Sequence, residues 1–436
     1  MTWKRGEKEL AAGIRDRVHG VSDEWKELYT WYRNHVVDSK DVNRFLDAAF
    51  YRKKKEQLSE KTAQELYGDL SRTSVTRLER FANCAYAHFL SYGLRLSERE
   101  QYTFEAMDLG NLAHQAMERF AGKLESLQLD WAKVSIELQE QLIEESVEES
   151  ILDYGNTVLY SSARNEYMIT RLKQLIRRSV WALTKQVEGG DFRPSRFEMK
   201  FGSGKIDRID LCKEDGTIYV KVIDYKTGLK NFDLLSLYHG LQMQLPVYMN
   251  AALEVIRRAH PENEIVPAGI FYYKMRDPFV EKIKDDRELE AKLLDTLKLD
   301  GLINGETAVL NHLERNLSGS SVLHPFGYKK SGELTAASKV LSEDSFCKIL
   351  EYTKEKEQEL KQSMVSGKVA PEPYVLGSES GCDYCAFRDI CGFDVTLDGY
   401  EYHNLEKYKS EEVIQMIHQH LKEKRNEKLD ETGGEA

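Results

Sequence analysis

The stretch from Gly204 to Tyr248 constrains this chain more than any other. It reads G-K-I-D-R-I-D, a turn, a run ending V-I-D-Y-K-T-G, and then a segment containing Q-L-P-V-Y. Side chains alternate between faces along a strand, so Val220, Val222, Asp224 and Lys226 share one side of a sheet. A carboxylate and an ammonium therefore stand side by side at a strand end, next to an apolar surface. Asp207, on the preceding strand, reaches the same point if the two strands pair. Two carboxylates converging with one lysine suit a hard divalent cation and phosphoryl chemistry. The cation polarises a phosphate oxygen and acidifies its bound water, while the lysine neutralises charge on the attacked group. The expectation is a metal-dependent nuclease.

The neighbouring segments read as a mixed α/β core. R-F-E-M-K-F from Arg196 is a strand, K-E-D-G-T is a hairpin loop, Gly228 ends the next strand, and P-A-G-I-F-Y-Y-K-M from Pro267 joins the same sheet. A helix over 234–259 places Gln244 and Tyr248 on one face, and Pro246 inside it predicts a bend. Residues 282–313 read as helical, 317–337 as a Gly/Ser-rich loop, and 345–366 as a further helix. Upstream, Thr76 and Glu79 have capping-box spacing, predicting a helix that starts there and runs on through Cys84. A helix over 105–127 carries His114 among Leu112, Ala113, Ala116 and Met117, and taken alone such a histidine reads as a hydrogen-bonded core residue.

Charge sets few limits. The net charge of −11 over 436 residues argues mildly against nucleic acid, but the charges are segregated. From Glu118 to Asp153 there are ten acidic residues against three basic, and from Arg164 to Lys185 six basic against one acidic. The acidic stretch reads as a solvated surface. Arg171, Arg178 and Lys185 recur every seven residues along a helical stripe over 168–187, as either a solvated face or a phosphate track. The cluster Arg52 to Lys55 reads as a solvated helix face. With neither a signal-peptide core nor a membrane-spanning run, the sequence predicts a cytoplasmic protein with no membrane partner.

Six cysteines are present, and a cytosolic chain does not rely on disulfides. Cys382, Cys385 and Cys391, spaced C-x₂-C-x₅-C, form a metal-ligand cluster one ligand short, and Cys84 is the best candidate for the fourth. Zinc accepts four thiolates, yet an isolated distant fourth cysteine suits an iron–sulfur cluster better. Cys212, in the sheet, and Cys347, in a helix, read as buried thiols.

In this order and spacing, His114, G-K-I-D-R-I-D, D-Y-K-T and Q-L-P-V-Y resemble the RecB-type branch of the PD-(D/E)XK nucleases. The bracketing cysteines are similar to its iron-staple members. S-V-T-R-L-E-R-F-A-N-C-A-Y, S-G-E-L-T-A-A-S-K and C-D-Y-C-A-F-R-D-I-C-G-F-D narrow the likeness to the C-terminal nuclease domains of the AddB family. The resemblance implies a restriction-endonuclease-like mixed sheet flanked by helices and closed by an iron–sulfur staple. His114, Asp207, Asp224 and the backbone carbonyl of Tyr225 would hold Mg²⁺ or Mn²⁺. Lys226 would orient the attacking water or stabilise transition-state charge, with Gln244 and Tyr248 supporting the site and the bound strand. Cys84, Cys382, Cys385 and Cys391 would carry a [4Fe-4S] cluster, and Asp210 would be structural, paired with Arg208 or a neighbouring base.

The implied activity is exonucleolytic cleavage of single-stranded DNA, on the 5′-ended strand, during processing of double-strand breaks for recombination. The implied partner is an AddA-type helicase–nuclease subunit in a heterodimer. No G-x-x-x-x-G-K-[ST] loop occurs, so no ATP site is expected. The expected divisions are 1–70, the helical end of a larger region; 71–395, the nuclease domain; and 396–436, a charged helical tail. A stand-alone iron–sulfur exonuclease of the CRISPR-adaptation type, and an inactive zinc-stabilised DNA-binding or scaffold module, are the rival readings.

Overall fold

In a computed structural model of the chain, residues 3–433 are described except for 16–19, 36–38, 52–53, 55–56, 71–72, 98–105, 161, 203 and 282. Three members of the basic cluster, Arg52, Lys53 and Lys55, thus lie outside the described residues.

Six strands form one mixed sheet in sequential order: β1 (Arg193–Phe201), β2 (Gly204–Glu214), β3 (Thr217–Lys226), β4 (Glu264–Lys274), β5 (Asp300–Asn304) and β6 (Val340–Leu341). β1, β2 and β3 pair antiparallel in turn, β4 runs parallel to β3, β5 antiparallel to β4, and β6 parallel to β5. The β2–β3 hairpin turns at Asp215 and Gly216, both at positive φ, as the Asp-Gly content predicts. A parallel β3–β4 pair needs a crossover, which the helix Gln244–Ala259 supplies.

The period of two along β3 divides two cores. Tyr219, Ile223 and Tyr225 pack under helices Ala106–Ser126, Ile136–Leu159 and Ala163–Gly189. Val220 and Val222 pack on the opposite face, under Val75–Asn83, Gln244–Ala259, Glu343–Val365 and Ser410–Gly433. The fold class is therefore a mixed α/β sheet with helices on both faces. The helices Trp3–Arg15, Asp23–His35 and Ser39–Ala49 carry a small core of their own, built on Leu10, Ile14, Tyr32, Phe45 and Ala49. Ala63 and Tyr67 upstream, and Val413, Ile417 and Leu421 near the C-terminus, are buried in the core of the sheet. These ends of the chain are packed elements as well as charged ones. No helix among the described residues is long and apolar enough to cross a membrane.

Several sequence expectations are corrected. The helix expected over 234–259 is two, Leu234–Tyr238 and Gln244–Ala259, separated at Gly240, which has φ +80°. Pro246 consequently falls in the first turn of the second helix, where a missing N–H costs no intrahelical bond, so it causes no kink. The expected helical run 282–313 contains β5, because Gly301 admits the Ile270 carbonyl so closely that a Cβ would lie 1.8 Å from it. The helix expected through Cys84 stops at Asn83, since Cys84 is extended at φ −164° and ψ 117°. Cys347 does sit in a helix, but it is exposed; Cys212 is buried as expected.

The segregated charges face one another rather than solvent. Glu140 and Glu144, on the acidic helix, pair with Arg177 and Lys173, while Glu145 and Glu149 pair with Lys123. Arg178 lies 3.4 Å and Arg171 4.0 Å from Asp277, and Lys185 pairs with Glu188 and Glu290. Each member of the basic stripe recurring every seven residues therefore has an acidic partner while staying about one-third exposed.

Candidate active site

β2 and β3 deliver the acidic pair. Asp224 Oδ2 lies 2.5 Å from Lys226 Nζ, its neighbour two residues on and on the same face. Asp207 Oδ2, from β2, accepts the Tyr225 N–H at 2.7 Å, which ties the two strand ends together. His114 arrives from the helix above with Nδ1 3.4 Å from Asp207 Oδ2. Gly110 lets that helix sit against the strand end: a Cβ there would meet Thr227 Oγ1 at 3.0 Å.

Gln244 joins the parts. Its Nε2 donates to Asp224 Oδ1 at 2.9 Å and to Tyr248 Oη at 2.8 Å, and its Oε1 accepts from Lys226 Nζ at 2.8 Å. The i, i+4 spacing of Gln244 and Tyr248 on one helix makes this possible. The N-terminus of that helix is held by Glu79, whose Oε1 accepts the N–H groups of Met243 (2.8 Å) and Gln244 (3.2 Å). The capping-box spacing of Thr76 and Glu79 therefore misleads. Ser74 caps the local helix through the Arg77 N–H, and Glu79 caps a helix 164 residues away. Glu79→Ala should lower stability by about 1–2 kcal/mol, the usual cost of a lost cap, read as a urea midpoint shift, with Glu79→Gln retaining most of it.

Burial is the main cause, and the Asp207 charge the second, that lifts the Asp224 carboxyl to about 7 against the pull of Lys226. At His114 burial favours the neutral ring, but the Asp207 carboxylate outweighs it and the pKa is raised. The Asp207 carboxylate thus contributes to both shifts, second to burial at Asp224 and against burial at His114.

Glu198 was not anticipated. His114, Glu198 and Asp207 each offer a ligand atom, all within 4.8 Å of one another. Glu198 sits inside β1 at φ +47°, a conformation side chains rarely adopt, and it pairs with Lys205 across the hairpin. Its strained backbone lies at the candidate site, where such strain tends to be retained. No sequence signal marks it, since an acidic residue in an edge strand ordinarily faces water.

A nitrogen ligand and converging carboxylates, packed against an apolar sheet, are a donor set for a hard divalent cation. The profile of the PD-(D/E)XK nuclease superfamily matches residues 72–392. The chain belongs to this superfamily. It is 35% identical over 432 residues to the B-type subunit of the ATP-dependent helicase/deoxyribonuclease of Lachnoclostridium phytofermentans, covering 95% of this chain and 37% of that protein. The same-named subunits of Alkaliphilus metalliredigens and Alkaliphilus oremlandii are 34% and 32% identical, each over 94% of this chain and 38% of the relative. The chain thus spans under two-fifths of the length of these curated relatives.

Two further features of this PD-(D/E)XK chain complete the site's surroundings. Cys84, Cys382, Cys385 and Cys391 line one pocket with Phe387, Phe393 and other apolar walls. The extended backbone at Cys84, which breaks its helix, presents it there. Beneath the active-site strands, Arg208, Asp210 and Lys221 form a buried ion triad. Arg208 donates to both Asp210 oxygens at 2.6 and 3.0 Å, and Lys221 Nζ lies 3.0 Å from Oδ2. Asp210 thus pairs with Arg208, as the sequence suggests.

Proposed function

We propose that this chain is the nuclease part of an AddB-type subunit, hydrolysing phosphodiesters of single-stranded DNA with Mg²⁺ or Mn²⁺. The observation that carries the reading is that His114 beside Asp207, and Lys226 beside Asp224, stand at strand ends tied together by the Tyr225 N–H to Asp207 hydrogen bond, with His114, Glu198 and Asp207 close enough to share an ion. His114, Asp207, Asp224 and the Tyr225 carbonyl would hold the cation, with Glu198 as an added ligand. When bound, the cation supplies Lewis acidity at a phosphate oxygen and a more acidic water. Lys226 places its ammonium where negative charge grows on the attacked phosphate. Gln244 fixes Lys226 and Asp224 through hydrogen bonds on both sides of its amide, and Tyr248 orients that amide in turn. Phe279, 93% exposed after β4, and Leu229, 81% exposed after β3, offer apolar surface on which unpaired bases can stack.

The relatives are named as subunits of an ATP-dependent helicase/deoxyribonuclease. These names support a partnership with a motor subunit; the resemblance in sequence adds that the partner is AddA-type in a heterodimer, that the attacked strand is the 5′-ended one at double-strand breaks, and that the protein acts in the cytoplasm. On end-labelled DNA, the reading predicts degradation of single strands well ahead of blunt duplex; no cleavage of either would refute it.

The cysteine pocket supports a [4Fe-4S] cluster over zinc. Four cysteines line one pocket, three close together in sequence and Cys84 far from them, an arrangement that suits an iron–sulfur cluster better than a compact zinc site. The purified protein is expected to be brown, with visible absorption that Cys382→Ala abolishes. A colourless, zinc-loaded protein would contradict this.

A further inference from the structure

We propose that the polar cleft beside the active site is a second subsite, binding a backbone phosphate of the same DNA strand next to the one attacked. The proposal rests on the nuclease reading above. The cleft encloses about 320 Å³ where β4 and β5 meet the 320–337 loop, and its lining includes Lys274, Arg276, Lys298, Ser320, Ser321 and Thr335. In the parallel β3–β4 register Lys274 is the partner of Lys226. The two lysines therefore share a sheet face, on strands about 4.8 Å apart. One contacts the site of bond cleavage and the other opens the cleft.

Cations outnumber carboxylates there. Lys274, Arg276, Lys298 and the adjoining Lys339 meet Asp295 and Asp300. Lys298 lies 2.6 Å from Asp295 and donates to the Ser321 carbonyl at 3.1 Å, while Lys274 (3.6 Å) and Lys339 (2.5 Å) share Asp300. Arg276 donates through a terminal nitrogen to the Thr296 carbonyl. Its Nε is buried, with no acceptor in reach among the described residues. A guanidinium and two lysines lining an open volume suit a phosphate oxygen. A polynucleotide presents one such charge per residue, so a second anion site one strand over is what a threaded strand requires. The S-G-E-L-T-A-A-S-K segment, which the catalytic site does not use, contributes Thr335 to this wall.

The test uses the full chain carrying Asp224→Ala, so that binding is read without hydrolysis, with fluorescence anisotropy of labelled oligo-dT as the probe. Lys298→Gln and Arg276→Gln should each weaken binding about tenfold, as expected for loss of a charged hydrogen bond. Each should also flatten the plot of log affinity against log salt by about 0.7, one phosphate contact on a single strand. Lys298→Arg should keep the parent slope, and so should Lys329→Gln, a surface control outside the cleft. An unchanged slope in Lys298→Gln and Arg276→Gln overturns the proposal, even if affinity falls, because a purely structural role would leave counterion release untouched. Should Arg276→Gln fail to fold, Lys298→Gln decides. Failure of the parent protein to cleave DNA would sink the nuclease reading alone, since the anisotropy outcomes do not depend on it.

Discussion

The Asp224→Ala protein is expected to fold and bind single-stranded DNA while cleaving it at least about a thousand-fold more slowly than the parent. Asp224 is buried, shares its surroundings with Asp207, and is held by Gln244 and Lys226 rather than by any element the fold needs. On the proposed reading, removing it takes away a cation ligand, and it also removes the carboxylate that Lys226 pairs with. Its charge is unfavourable in the folded state. Because its folded pKa is raised to about 7, the stability linked to it is present at low pH and lost as pH rises towards and through that value. At pH 8, in chelator, Asp224→Ala should therefore melt no lower than the parent. A melting temperature that falls together with activity would mean that the residue is structural.

Replacing Asp210 with alanine should do the opposite. It sits with Arg208 and Lys221 in the interior, all three at 2% exposure or less. Burial works to lower the Lys221 pKa, and the Asp210 charge is the main force opposing it. Without that carboxylate two like charges remain buried and unpaired, at a cost of about 3–5 kcal/mol. For a chain of 436 residues that is roughly a 3–5 °C drop in melting temperature, measurable by calorimetry. Replacing all three residues with apolar side chains of similar volume should restore most of the loss, since a buried ion network gains little over good apolar packing. If Asp210→Ala shifts the midpoint by less than about 1 kcal/mol, the triad is not held as the contacts indicate.

What the sequence made legible was local and periodic. Asp224 and Lys226 fall on one face because strands repeat every two residues, and Gln244 and Tyr248 because helices bring i and i+4 together. Their contact with one another follows from a β-α-β crossover that the intervening turn signals allow. The place of His114 beside Asp207, 93 positions later, was legible only through resemblance, because nothing in its own surroundings points to that contact. Glu198 depends on a positive φ within a strand, which no residue pattern announces. Glu79 was read through its neighbours, whereas tertiary structure uses it on a distant helix. β5 was hidden because the run 282–313 reads as helical, and nothing in it announces that Gly301 admits a neighbouring carbonyl. The acidic helix read as solvated because pairing with Lys173 and Arg177 requires knowing which helices pack together.

The most direct test is cation dependence at a single site. Protein stripped with chelator should leave end-labelled single strands intact and regain cleavage on addition of Mg²⁺ or Mn²⁺, while Asp207→Ala stays inert at any concentration of either ion. Cleavage that persists in excess chelator, or an Asp207→Ala protein as active as the parent, would contradict a cation-dependent site built on these carboxylates.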